Sequence, residues 1–134
     1  MRNFFTVLLL FLLLTFSGCD REKPLIFFSS KPITSNLDFN NPEVVFAPST
    51  RINFVVYNPK GFKSKKIRLQ VIKMSDKVPI LGYTLEHARD IEINPSQNYF
   101  ISDFYIHNTG CFMLRVFGHD YFEEPIVERM FWVK

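Results

Sequence analysis

Apolar residues along this chain fall into short runs parted by turn-forming residues, with one longer exception at the N-terminus. Residues 25–28 form the first run, and a polar stretch rich in Pro and Asn occupies 31–42 before a second run at 44–46. Ile52, Phe54 and Val56 alternate with Asn53, Val55 and Tyr57, and Asn58-Pro59-Lys60-Gly61 breaks that strand. Over 66–73, Ile67, Leu69 and Val71 point one way and Arg68 and Gln70 the other, the period of two of a half-buried strand. Shorter runs at 79–85 and 91–93 precede strands predicted over 100–106, 112–117 and 126–133. No stretch of ten residues carries a helical period, and 85–91 has room for one helical turn only. Runs of strand length separated by turn signals predict an all-β, antiparallel fold of seven or eight strands, a sandwich or small barrel.

The exception is the stretch 4–16, apolar throughout except Thr6 and Thr15 and preceded by Arg2, the one charge before residue 20. Thirteen helical residues rise about 20 Å, well short of the roughly 30 Å hydrocarbon core of a bilayer. That length suits the apolar region of a secretory signal peptide rather than a membrane span.

The run ends on Ser17-Gly18-Cys19. Here the sequence resembles bacterial lipoproteins, whose signal peptides close on a small residue, Gly or Ala, and then Cys; Phe16 stands where Leu is usual. The resemblance implies a signal peptide over 1–18 and a mature chain beginning at Cys19, which carries a diacylglyceryl thioether and often a third, amide-linked acyl chain. Two or three chains anchor stably where one does not. Asp20 resembles the signal for retention in the inner membrane of many Gram-negative bacteria, so the expected location is the bacterial cell envelope, leaning to that membrane. Residues 19–24 then form the lipidated Cys and a charged tether, and 25–134 the folded domain.

The C-terminal part resembles a second family. Gly110, Phe112, Leu114 and Val116, followed by the closing strand 127–133, are similar to the last hairpin of immunoglobulin-like and fibronectin type III-like domains. Phe112 stands where those families carry a corner tyrosine. The resemblance implies an immunoglobulin-like β-sandwich and nothing about activity.

Composition adjusts this picture little. The 16 basic and 13 acidic residues give a charge of +3. So small an excess does not argue for a nucleic-acid partner. With Cys19 acylated, no second cysteine remains to form a disulfide with Cys111, and the fold rests on packing alone. Cys111 reads as a partly buried structural thiol.

Candidate chemistry is sparse. No Ser-His-Asp order, phosphate-binding Gly loop or His-Glu-x-x-His pattern occurs, so the expectation is no enzyme, no catalytic residue and no cofactor. His107 and His119 flank a strand of about 23 Å and cannot share an ion. His119, Asp120, Glu123 and Glu124 are the metal candidates, set against a plain solvated acidic loop. Lys60, Lys63, Lys65, Lys66 and Arg68 form a basic loop for anionic headgroups or envelope polymer, with Phe62 as an apolar insert.

On the last hairpin, pairing 117 with 126 sets Arg115 opposite Glu128 and Met113 opposite Met130. That register exposes Trp132 and turns Arg129 inward, a conflict that a bulge relieves. Met113, Phe117, Met130 and Trp132 then form an outer row suited to a protein partner, unless residues 31–42 cover it. The expected function is a lipid-anchored, non-catalytic module that binds an envelope protein. The alternatives are a carrier of a small ligand or cation, or an inhibitor of an envelope enzyme.

Overall fold

The computed structural model describes residues 23–34, 41–74 and 83–134. The expected signal peptide over 1–18, Cys19 and Asp20 therefore lie outside the described residues. Eight strands follow in chain order: β1 (Leu25–Ser29), β2 (Val45–Phe46), β3 (Arg51–Tyr57), β4 (Lys66–Met74), β5 (Tyr83–Glu92), β6 (Tyr99–Tyr105), β7 (Gly110–Gly118) and β8 (Val127–Val133). They build two sheets, one ordered β1-β3-β6 and the other β2-β8-β7-β4-β5. This is the two-sheet all-β sandwich that the strand rhythm predicts. Every described strand lies between Leu25 and Val133, so a chain lacking residues 1–18 retains all eight of them.

Two details differ from the expected pattern. The short β2 runs parallel to β8, Val45 beside Trp132 and Phe46 beside Val133, because the chain leaves β1 and crosses to the other sheet. Residues 83–92, read as two short runs with space for a helical turn, form one continuous strand. β5 is an edge strand paired only with β4, so Glu86, His87, Arg89, Asp90 and Glu92 are tolerated along it and blur the period of two. A β-bulge lies between Val71 and Ile72, where the partners jump from His87 to Leu85.

Alternation fills the space between the sheets. Ile52, Phe54 and Val56 of β3 and Ile67, Leu69 and Val71 of β4 are all buried, as are Phe112, Leu114 and Val116 of β7. Phe131 is the point where the sheets meet. Its ring is fully buried and lies 5.1 Å from Phe28, 6.3 Å from Phe46, 5.5 Å from Phe104 and 5.6 Å from Phe112, centroid to centroid. Such aromatic pairs contribute about 0.5–1.5 kcal/mol each beyond the area they bury.

The β7–β8 register is the one cross-strand reasoning gives, with Arg115 opposite Glu128 and Met113 opposite Met130. The expected bulge is absent from that pair. Arg129 stays on the inward side and donates from Nη1 to the Ile26 carbonyl at 2.5 Å, capping the unpaired edge of β1. Arg89 does the same work at the opposite edge of the sandwich. From β5 it donates to Ser102 Oγ at 2.6 Å and to the Asp103 carbonyl, both on β6. Each arginine thus joins one sheet to the other, satisfying polar groups that hydrocarbon alone would strand.

Truncating the central ring tests this packing. Phe131→Ala is expected to lower the unfolding free energy by about 3–5 kcal/mol in urea denaturation, the cost of a large core cavity. A loss below about 1 kcal/mol would mean the sheets do not meet there.

Candidate functional site

Strand register gives the sandwich two ends. Leu25 pairs with Tyr57, Tyr57 with Tyr99, Lys66 with Glu92 and Ile67 with Gly118, so these positions share the end at which the chain enters β1. Gly110 pairs with Val133 and Arg51 with Tyr105 at the other end.

At the entry end, the turn after β3 is wound around Asn58. Its side chain donates to the Gly61 carbonyl at 2.8 Å and accepts from the Lys60 amide at 3.2 Å. Gly61 has φ of 71°, a left-handed conformation that disfavours a side chain. The turn sends Phe62 inward, where it is buried with its ring 5.3 Å from Phe100. Phe62 is therefore a core residue and not an apolar insert for a membrane. Lys60, Lys63, Lys65 and Lys66 remain exposed.

Arg68 does not belong with them. It lies on β4, bound through two nitrogens to Asp90 at 2.6 and 2.9 Å, with its guanidinium 5.0 Å above the Phe122 ring. Its charge is spent on this clamp. The Arg68 hydrogen bonds hold the Asp90 carboxyl below the ordinary aspartate value, against the opposing pull of desolvation.

Facing the Asn58 turn is the loop between β7 and β8. The His119 amide donates to the Lys66 carbonyl at 3.1 Å, and a bridge joins Gly118 to Tyr121. The four metal candidates in this loop are not brought together. His119 Nε2 faces Asp90 at 3.6 Å and its Nδ1 faces Asp120 at 3.8 Å. Glu123 accepts from the Tyr121 hydroxyl at 3.4 Å, while Glu124 turns towards the Asn58 turn. Among the described residues no three His, Cys, Asp or Glu side chains converge as a cation site. What the two loops do enclose is a cavity of about 390 Å³, lined by Lys60 and Lys63 on one side and Asp120 and Glu124 on the other.

The outer row of the hairpin is smaller than alternation implies. Phe117 is buried, with the Arg115 guanidinium 4.9 Å over its ring and the Phe122 ring 6.4 Å away. It is thereby removed from the partner surface. Met130 is exposed, and Met113 and Trp132 are half-buried beside it. Cys111, also half-buried, lies opposite Trp132. His107 is exposed, its Nδ1 2.9 Å from the Ser49 hydroxyl.

Residues 33 and 34 do not cover this row. Ile33 and Thr34 lie on the outer face of the three-stranded sheet, where with Leu25, Tyr57, Tyr99 and Ile101 they line a groove of about 550 Å³. Residues 35–40 lie outside the described residues. The groove escapes strand-pattern reading because β6 carries apolar side chains on both faces, Phe100 and Phe104 inward with Tyr99 and Ile101 outward.

No family model matches the chain, and no curated protein does. Among solved structures it is similar to the soluble domain of PmoD from Methylocystis sp. ATCC 49242 (Rockwell). The TM-score is 0.53 at 16% identity, over 83% of this chain and 90% of that one. That likeness shows the shared all-β fold. Beta-glucosidase from Kluyveromyces marxianus in complex with glucose matches at TM-score 0.40 and 13% identity, over 85% of this chain and 14% of that one.

The Asp90 clamp makes a testable claim. A carboxyl whose folded pKa is lowered adds stability that is present above its unfolded pKa, near 3.8, and is lost as pH falls through the lowered folded value. Asp90→Asn is expected to destabilise the protein at neutral pH and to flatten the acid limb of its stability profile, read as the urea midpoint from neutral to acid pH. An unchanged acid limb contradicts the clamp.

Proposed function

We propose that this chain is a membrane-anchored lipoprotein of the bacterial envelope that acts by binding a protein partner and catalyses no reaction. The observation that carries the reading is the register at the two ends. The chain enters β1 beside Tyr57, so an acyl chain on Cys19 holds that end near the bilayer. Trp132, by contrast, stands beside Val133 at the far end and Met130 at the middle of β8, so the hairpin face reaches away from the anchored end. Strand order supports the immunoglobulin-like form of the sandwich. β1, β3 and β6 stand where that architecture has its first, second and fifth strands, and β4, β7 and β8 form the opposing sheet. Binding modules of this class work through exposed side chains on a rigid frame, and Met and aromatic residues supply much of an interface's energy.

Crosslinking in cells tests both halves. Cys19→Ser is expected to abolish acyl labelling and to leave the precursor uncleaved or the domain soluble. Met130→Ala with Trp132→Ala is expected to keep the fold and its acylation yet lose the crosslinked partner, at a cost of about 2 kcal/mol or more in binding. Membrane fractionation of the Cys19→Ser protein at mature size contradicts the anchor. Undiminished crosslinking, or a collapsed melting temperature, in the double variant contradicts the interface.

A further inference from the structure

We infer that the cavity between the Asn58 turn and the 118–126 loop receives the phosphate–ammonium headgroup of a zwitterionic phospholipid, so that the entry end of the sandwich docks on the bilayer. The inference deepens the anchored reading above and rests on it for the supply of lipid.

Charge is the first argument. Lys60 and Lys63 stand on one side of the cavity and Asp120 and Glu124 on the other. Among the described residues no ion pair joins the two sides; Asp120 has only His119 at 3.8 Å. An anion entering alone meets the carboxylates, and a cation alone meets the lysines. A ligand that carries both charges a few bonds apart satisfies both sides at once.

The wider surface points the same way. Lys60, Lys63, Lys65 and Lys66 are matched in number by Glu92, Asp120, Glu123 and Glu124, which leaves Lys23 at the chain entry as the one excess cation among the described residues there, since Arg68 and Asp90 already neutralise each other. Opposite charges so interspersed offset one another beyond a Debye length of about 8 Å at physiological salt. This end therefore exerts little long-range pull on an anionic membrane, and its selectivity resides in contacts within the cavity.

Shape and polarity complete the case. A volume of about 390 Å³ falls in the range of small-ligand sites, roughly 300–1,000 Å³. Ile67 and Ile126 supply an apolar wall for the glycerol and first acyl carbons. Tyr121, about half exposed, lines the cavity, an aromatic side chain of the kind that settles at the headgroup level and accepts an ammonium group on its face.

The test uses the mature chain with Cys19→Ser, which retains every described strand and carries no acyl chain. Amide resonances are followed as dihexanoyl phosphatidylethanolamine is added below its micelle concentration. Saturable shifts confined to 58–64 and 118–126 are expected. Dihexanoyl phosphatidylglycerol, which lacks the ammonium group, should bind about tenfold more weakly, the loss of one charge-assisted hydrogen bond. Lys63→Gln and Glu124→Gln, both at exposed positions, should each weaken phosphatidylethanolamine binding by a similar factor while the remaining resonances stay in place. Tighter binding after Glu124→Gln, equal affinity for the glycerol lipid, or shifts elsewhere would overturn the inference. Equal affinity for free phosphoethanolamine would also overturn it, by making the site one for a soluble ligand. None of these readouts involves acylation, so failure here is distinct from failure of the Cys19 anchor.

Discussion

The contact of Phe131 with four other phenylalanines, drawn from both sheets, is the constraint on which the rest of this structure depends. No disulfide joins the sheets among the described residues, and Cys111 lies on the outer face of β7. Cohesion has to come from hydrocarbon, and the aromatic rings supply it at the point where β1, β2, β6, β7 and β8 converge. Packing at the centre leaves the two long edges of the sandwich open. Arg129 and Arg89 close them, one over the β1 edge and one over the β6 edge, each donating to a backbone carbonyl of the opposite sheet. With the centre packed and both edges stapled, the sandwich holds its two ends apart as a rigid body.

The end beside the chain entry is organised by a second, smaller contact. Arg68 holds Asp90 from below and the Phe122 ring from above, and Phe122 in turn touches His119 and Phe117. That stack fixes the 118–126 loop against β4. Because the loop is fixed, Asp120 and Glu124 stand across from Lys60 and Lys63 as walls of one cavity. The clamp is half-exposed, so its own contribution to stability is modest. Its consequence is positional.

Pattern reading along the chain recovered what depends on local periodicity. Seven strands, the inward faces of β3, β4 and β7, and the β7–β8 register all follow from a period of two and from Arg115 needing an acidic neighbour. What it missed depends on partners remote in sequence. Arg68 reads as one of five cations in a basic loop because Asp90, 22 residues on, is invisible to a local window. Phe62 reads as a solvent-facing insert because its lysine neighbours do, yet the left-handed Gly61 reverses the chain into the core. Phe117 has outward parity but is roofed by Arg115 and Phe122. Arg129, inward where the strand pattern expects hydrocarbon, is informative: an inward charge in a sandwich marks a carbonyl on the other sheet that needs a donor. The proposed lipid anchor and partner belong to chemistry that strand packing does not report.

The central claim is the polarity of the molecule, lipid at the end of Lys63 and Tyr121, partner surface at the end of Trp132. Trp132 is the one tryptophan in the chain and lies about 17 Å along β8 from Val127. The most direct measurement reconstitutes the acylated protein into vesicles whose acyl chains carry bromine and records tryptophan emission. Trp132 should be quenched little, whereas a Tyr121→Trp probe placed with Trp132→Phe should be quenched strongly. Quenching of Trp132 equal to or greater than that of the Tyr121→Trp probe would contradict the account.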